Sequence, residues 1–144
     1  MEVSSICGDL GGHGFQDKEG NPQRIELCKK IIDACCELET RVMTTHVGVI
    51  PTKDESPVYQ EMVRVARIVG EYASAKGVTL AIETGPEPAV RLRHYLEDIG
   101  LKGIGVNFDP ANLPEEIPCG PMLLGRCYPA DVLAMDPFKE IQPY

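Results

Sequence analysis

The chain is predicted to be an α/β protein built from parallel β-α-β units, and three observations predict it. Strand-like and helix-like segments alternate four times along residues 1–113. Each link between successive strand segments is long enough to hold a helix, which a parallel crossover needs and a hairpin does not. Apolar residues recur at spacings of three and four in the helical segments, while the strand segments alternate in polarity.

The first element is a short strand at residues 3–7. A Gly-rich stretch, 9–20, reads as a flexible loop at a pocket rim. Its Gly8-Asp-Leu-Gly-Gly-His-Gly14 run matches neither the dinucleotide fingerprint nor a P-loop, and His13 reads as solvated. Asn21 and Pro22 read as N-cap and first position of a helix whose buried stripe is Ile25, Cys28, Ile32, Cys35 and Leu38. Residues 42–49 form the second strand. Ser56 and Pro57 open a second helix with the stripe Val58, Met62, Val65, Val69 and Tyr72, and Gly77 stops it as a left-handed residue. Residues 78–83 are the third strand. A helix from about residue 86 to 99 carries Ala89, Leu92, Leu96 and Ile99 and ends at Gly100, before a fourth strand at 104–109. Beyond Leu113 the periodicity fades. Residues 114–144 hold six of the twelve prolines, which excludes a long helix. The organisation is therefore a unit of four βα repeats, 1–113, and an irregular Pro-rich segment, 114–144, with a short helical turn near 138–141.

Composition narrows the function. At 43% hydrophobic and 25% charged, the 144 residues are ordinary for a globular protein, not for a disordered or fibrous one. Apolar runs fall far short of the ~20 residues that span a bilayer, and no basic segment followed by an apolar one opens the chain. A cytoplasmic protein without a membrane partner is expected. The net charge of −8 opposes nucleic-acid phosphates, and Arg91–Arg93 with His94 reads as a solvated helix face among acids. Six cysteines without a C-x-x-C pair speak against a zinc ribbon and fit reduced thiols.

Strand parity locates the candidate site. In the second strand Val42, Thr44 and His46 oppose Met43, Thr45 and Val47; in the third, Thr79, Ala81 and Glu83 oppose Leu80 and Ile82. In the fourth, Gly105, Asn107 and Asp109 oppose Ile104, Val106 and Phe108. One face of each strand suits covering helices. The other ends, at the strand's C-terminal end where parallel α/β folds build their sites, in His46, Glu83 or Asp109. Two carboxylates and an imidazole converging there suit Mn²⁺, Mg²⁺, Co²⁺ or Zn²⁺. Capping of the following turns by Glu83 and Asp109 explains the same spacing.

The segments Ala81-Ile-Glu-Thr-Gly-Pro-Glu87 and Val106-Asn-Phe-Asp-Pro-Ala-Asn-Leu113 resemble the fifth and sixth strands of the xylose-isomerase-like TIM-barrel superfamily. Thr44-Thr-His-Val-Gly48 resembles its fourth strand and Val3-Ser-Ser-Ile-Cys7 its third. That group holds sugar isomerases, ketose 3-epimerases, sugar-phosphate isomerase/epimerases and the endonuclease IV type of DNA-repair enzyme. The resemblance implies a partial (β/α)8 barrel. It implies that Glu83 is a metal ligand and the proton-moving base, Asp109 a metal ligand, and His46 and Asn112 substrate contacts. A histidine common three residues after the aspartate is Asn112 here, which can still hydrogen-bond a sugar hydroxyl. The family's strand-seven histidine and strand-eight glutamate have no counterpart, so half a metal site is expected, and the isolated chain should not hold the metal tightly.

The implied activity is metal-dependent isomerisation or epimerisation of a sugar or sugar phosphate, through proton transfer next to a carbonyl and an enediolate. Two alternatives stand beside it: a non-catalytic barrel fragment or assembly module, and a DNA-repair endonuclease of the same fold. The four strands leave two edges at residues 3–7 and 104–109, so pairing with a second copy or a complementary half-barrel is expected.

Overall fold

Alternating polarity along four strands, with helical stripes between them, yields one parallel sheet with helices on one side. The computed structural model describes residues 2–52 and 56–112, together with the backbone of 122–123 and 126–127. Strands β1 (Ile6–Cys7), β2 (Val42–Thr45), β3 (Thr79–Glu83) and β4 (Ile104–Asn107) pair in parallel in the order β1-β2-β3-β4. Helices α1 (Asn21–Glu37), α2 (Pro57–Ala75) and α3 (Ala89–Ile99) connect them. Sequential order with neighbouring helices in mutual contact, α1 on α2 and α2 on α3, is the wall of a (β/α) barrel. A doubly wound sheet would reverse its strand order and send helices to both faces.

Each strand is shorter than its sequence pattern, because parallel pairing stops where the partner strand stops. Register aligns Cys7 with Thr44, Thr44 with Ala81, and Ala81 with Gly105, a row of small side chains on the inner face. One step further, Glu83 aligns with Asn107. The outer face supplies Met43, Leu80 and Ile82, all fully buried against Cys28, Ile32 and Cys35 of α1 and Met62, Val65 and Val69 of α2. Burying each such side chain contributes about 1.5–3 kcal/mol. Tyr95 of α3 donates its hydroxyl to Met62 O at 2.9 Å, and its ring meets Tyr59 edge-on at 5.8 Å. On β4 only Ile104 reaches this core; Val106 and Phe108 are 40% and 50% exposed. Beyond Ile104 the apolar outer face expected of the fourth strand is thus uncovered among the described residues, where α1 packs on β2 and α2 on β3.

Helix ends follow local chemistry. Ser56 caps α2 by accepting the Val58 N–H at 3.1 Å, and Gly100 closes α3 in the left-handed region at φ 67°. Asn21 differs from its expected role. It is already helical, with Gly20 as the cap, and its buried side chain donates to Phe15 O at 3.0 Å and to Glu61 Oε1 at 2.9 Å. The Gly-rich loop is likewise anchored rather than free. Phe15 is fully buried, its N–H donates to Val47 O at 2.8 Å, and Gly14, at φ 56°, lies so close to Val47 that a Cβ would sit 2.3 Å from its carbonyl carbon. Within 114–144 the described backbone pairs Met122–Leu123 antiparallel to Arg126–Cys127, an element the proline-rich pattern does not announce. The helical turn expected near 138–141 lies outside the described residues.

Among the described residues no helix is long and apolar enough to cross a membrane. Cys28 and Cys35 are free and fully buried, as their helical stripe predicts.

Candidate functional site

Parallel strands with helices on one side leave the C-terminal strand ends and the inner face for chemistry. There β2 runs out into His46, β3 ends in Glu83, and β4 leads through Phe108 to Asp109 and a turn of 3-10 helix, Pro110–Asn112. All four residues that the sequence singled out meet at this point. His46 Nε2 lies 3.3 Å from Glu83 Oε1. Asn112 Nδ2 donates to the same Glu83 oxygen at 3.1 Å and lies 3.5 Å from Asp109 Oδ2. Glu83 is largely enclosed, its side chain 14% exposed, whereas that of His46 is 60% exposed. The cluster has a sheltered carboxylate at its base and an imidazole on the open side.

The backbone around Asp109 is held by Thr84, which sequence reasoning passed over. Its buried hydroxyl donates to Asp109 O at 2.8 Å and accepts the Asp109 N–H at 2.9 Å, while its own N–H donates to Asn107 O at 3.0 Å. Asp109 Oδ1 accepts the Ala111 N–H at 2.8 Å, which shapes the turn that brings Asn112 back toward Glu83. The signal was present in sequence: a hydroxyl residue directly after the glutamate, on the opposite parity, points away from the pocket and toward the neighbouring strand. Asn107, half-buried and level with Glu83, belongs to the same inner face.

The donor set fits part of a divalent-cation site. Glu83 and Asp109 both turn a carboxylate oxygen toward one positively polarised group, the Asn112 amide, the placement a cation between them requires. Among the described residues no group of three or more His, Cys, Asp or Glu side chains is arranged to hold a metal ion. Glu83 and Asp109 are the two carboxylates at this point among the described residues. No lysine or arginine among the described residues forms an ion pair with either of them. His13 is exposed in the rim loop. His94 lines a separate recess of about 440 Å3 with Tyr59, Arg91 and Asp98, on helix surfaces that share no residue with the cluster.

A family model for the xylose isomerase-like TIM barrel matches residues 1–119. Among solved structures, a xylose isomerase domain protein from Planctomyces limnophilus is 30% identical over 77% of this chain and 44% of its own, with a TM-score of 0.72. The 3-keto-D-glucoside 4-epimerase from E. coli is 16% identical over 76% of this chain and 48% of its own, at a TM-score of 0.60. A xylose isomerase-like TIM barrel protein from Mycobacterium smegmatis, in complex with magnesium, is 14% identical over 76% of this chain and 41% of its own, at 0.59. The latter two likenesses are of fold. The chain spans less than half the length of each of these structures. No curated protein matches it at a significant level.

Proposed function

The chain belongs to the xylose isomerase-like TIM-barrel family, and on that premise we propose that it carries one wall of a sugar isomerase or epimerase site. The observation that carries the reading is the meeting of His46, Glu83, Asp109 and Asn112 at the C-terminal ends of three adjacent strands. Glu83 is the sheltered carboxylate and takes the proton from the carbon next to a ketose carbonyl. The electron pair of that C–H bond moves toward the carbonyl to give an enediolate, and Glu83 returns the proton to the adjacent carbon, which completes an isomerisation; an epimerisation would need the proton from an acid on the opposite face of the sugar, outside the described residues. His46 and Asn112 hydrogen-bond substrate oxygens from the open side. A divalent cation held by Glu83 and Asp109, Mn²⁺, Mg²⁺, Co²⁺ or Zn²⁺, would supply polarisation of the substrate oxygens.

The net charge of −8 counts against a DNA substrate. On this reading the remaining wall lies outside the described residues and joins the sheet at β1 or β4, the edges of the described sheet. A purely structural, non-catalytic module is the second reading, favoured by there being no group of three or more metal-ligating side chains among the described residues.

Titration of the purified chain with Mn²⁺ tests the proposal. Weak binding is expected, removed by Glu83→Gln and by Asp109→Asn, with no ketose turnover by the chain alone. Binding that neither variant changes would refute the site. Tight stoichiometric binding lost in Glu83→Gln would instead show a complete ligand set and overturn the one-wall view.

A further inference from the structure

We propose that Asn107 is a substrate-orienting residue of this site, its side-chain amide hydrogen-bonding the sugar oxygen beside the carbon whose proton Glu83 moves. The inference rests on the sugar-site reading above and adds a residue and a contact to it.

Three observations place the side chain. Ile104 turns outward, its Cδ1 packing against Gly70 of α2, so residues 105 and 107 turn to the opposite face. Gly105 confirms that face: a Cβ there would meet Thr79 Cγ2 at 3.4 Å, and Thr79 has the parity of Glu83. Asn107 is then the direct parallel partner of Glu83. Adjacent strands are about 4.8 Å apart, so a ligand atom lying over the gap between β3 and β4 is within reach of both side chains.

The chemistry of the side chain points the same way. Asn107 is half-buried, and among the described residues its side-chain amide makes no hydrogen bond, while its backbone carbonyl accepts the Thr84 N–H. A half-enclosed amide without a protein partner can be satisfied by water or by a ligand. An amide both donates and accepts, so it serves a hydroxyl and a carbonyl oxygen alike and adds no charge beside the base. Those are the two oxygen types that exchange places across the carbons of an enediolate. Asn112 already has its NH2 engaged by Glu83 and Asp109, whereas the Asn107 amide is available as the substrate arrives.

The test is an NMR titration of the ¹⁵N-labelled chain with D-fructose, a neutral ketohexose, with and without Mg²⁺. Saturable shifts are expected at the Asn107 side-chain NH2 and at the backbone amides of Glu83 and Thr84. Asn107→Leu should weaken binding by about tenfold, the effect of one lost hydrogen bond plus the ligand oxygen left unpaired, and Asn107→Gln should restore part of it. Asn107→Ala carries the same expectation should the leucine variant melt early. Unchanged affinity in Asn107→Leu or Asn107→Ala, with the Glu83 shifts retained, overturns the role of Asn107 and leaves the sugar site standing. A wild-type chain without saturable shifts at these residues overturns both.

Discussion

Replacing Glu61 by Gln should cost the folded state about 2 kcal/mol at pH 7, and the cost should fade in acid. Glu61 lies on α2 with its side chain only 9% exposed. Arg64 forks onto it, Nε to Oε2 at 2.8 Å and Nη2 to Oε1 at 2.7 Å, and Asn21 donates to Oε1 at 2.9 Å. The Arg64 hydrogen bonds, helped by Asn21 and opposed by burial, hold the carboxyl down from 4.5 to about 2. At about 1.4 kcal/mol per tenfold change in proton affinity, that difference is at most about 3 kcal/mol. The Arg64 side chain is 52% exposed, so solvent screens part of it and about 2 kcal/mol is the working figure. Gln keeps an oxygen for Asn21 but loses the charge that Arg64 grips. A carboxyl whose folded pKa is depressed stabilises the fold above its unfolded pKa, and that stability is lost as pH falls from 4.5 toward about 2. Urea melts of wild type and Glu61→Gln should therefore differ by about 2 kcal/mol at pH 7 and by less than about 1 kcal/mol at pH 3. A gap that stays constant from pH 7 to pH 3, or one below about 0.5 kcal/mol throughout, refutes the anchored-charge account.

Gly14→Ala should destabilise the chain by at least about 1–3 kcal/mol in thermal melts, since φ is 56° and the new Cβ would collide with Val47; a neutral result would mean the rim loop can leave β2 without penalty. Leu80→Ala, removing a fully buried side chain from the centre of the sheet, should lose about 2–5 kcal/mol by urea denaturation. Burial pushes the Cys28 thiol up to about 12, so alkylation of the folded chain at pH 8, read by peptide mass mapping, should modify exposed Cys7 and spare Cys28. Rapid modification of Cys28 without denaturant would show that α1 is not docked as described.

Alternation alone was enough to read the strands, and three-four spacing the helices apart from Leu38, which caps α1 and is 53% exposed, because both report which side of a local element is buried. For the same reason Glu83 and Asp109 could be placed on one face before any coordinate was known: parity along a strand survives whatever the strand packs against. Ser56 and Gly100 were equally legible, since capping depends on neighbouring residues in the chain. Asn21 was misread as a cap because its actual partner, Glu61, is 40 residues away, and nothing local distinguishes a capping amide from one that tethers two helices. The rim loop looked free for a related reason. Its glycines do suit positive φ, but what they serve is close approach to Val47, a contact made only after β2 has paired. Thr84 and Asn107 drew no attention, one turned outward and the other uncharged, until register set them beside Asp109 and Glu83.

Over residues 1–113 the chain's own sequence thus determined the element types, the inner and outer faces of each strand, and the residues that stand at the strand ends. Those properties follow from periodicity and steric preference within a few residues. Which strand lies beside which, which of the polar groups meet, and which apolar face is left uncovered on β4 were decided by tertiary structure. Hydrogen-bond register between strands and the packing of helix on helix act between residues distant in the chain, and local pattern carries no record of them.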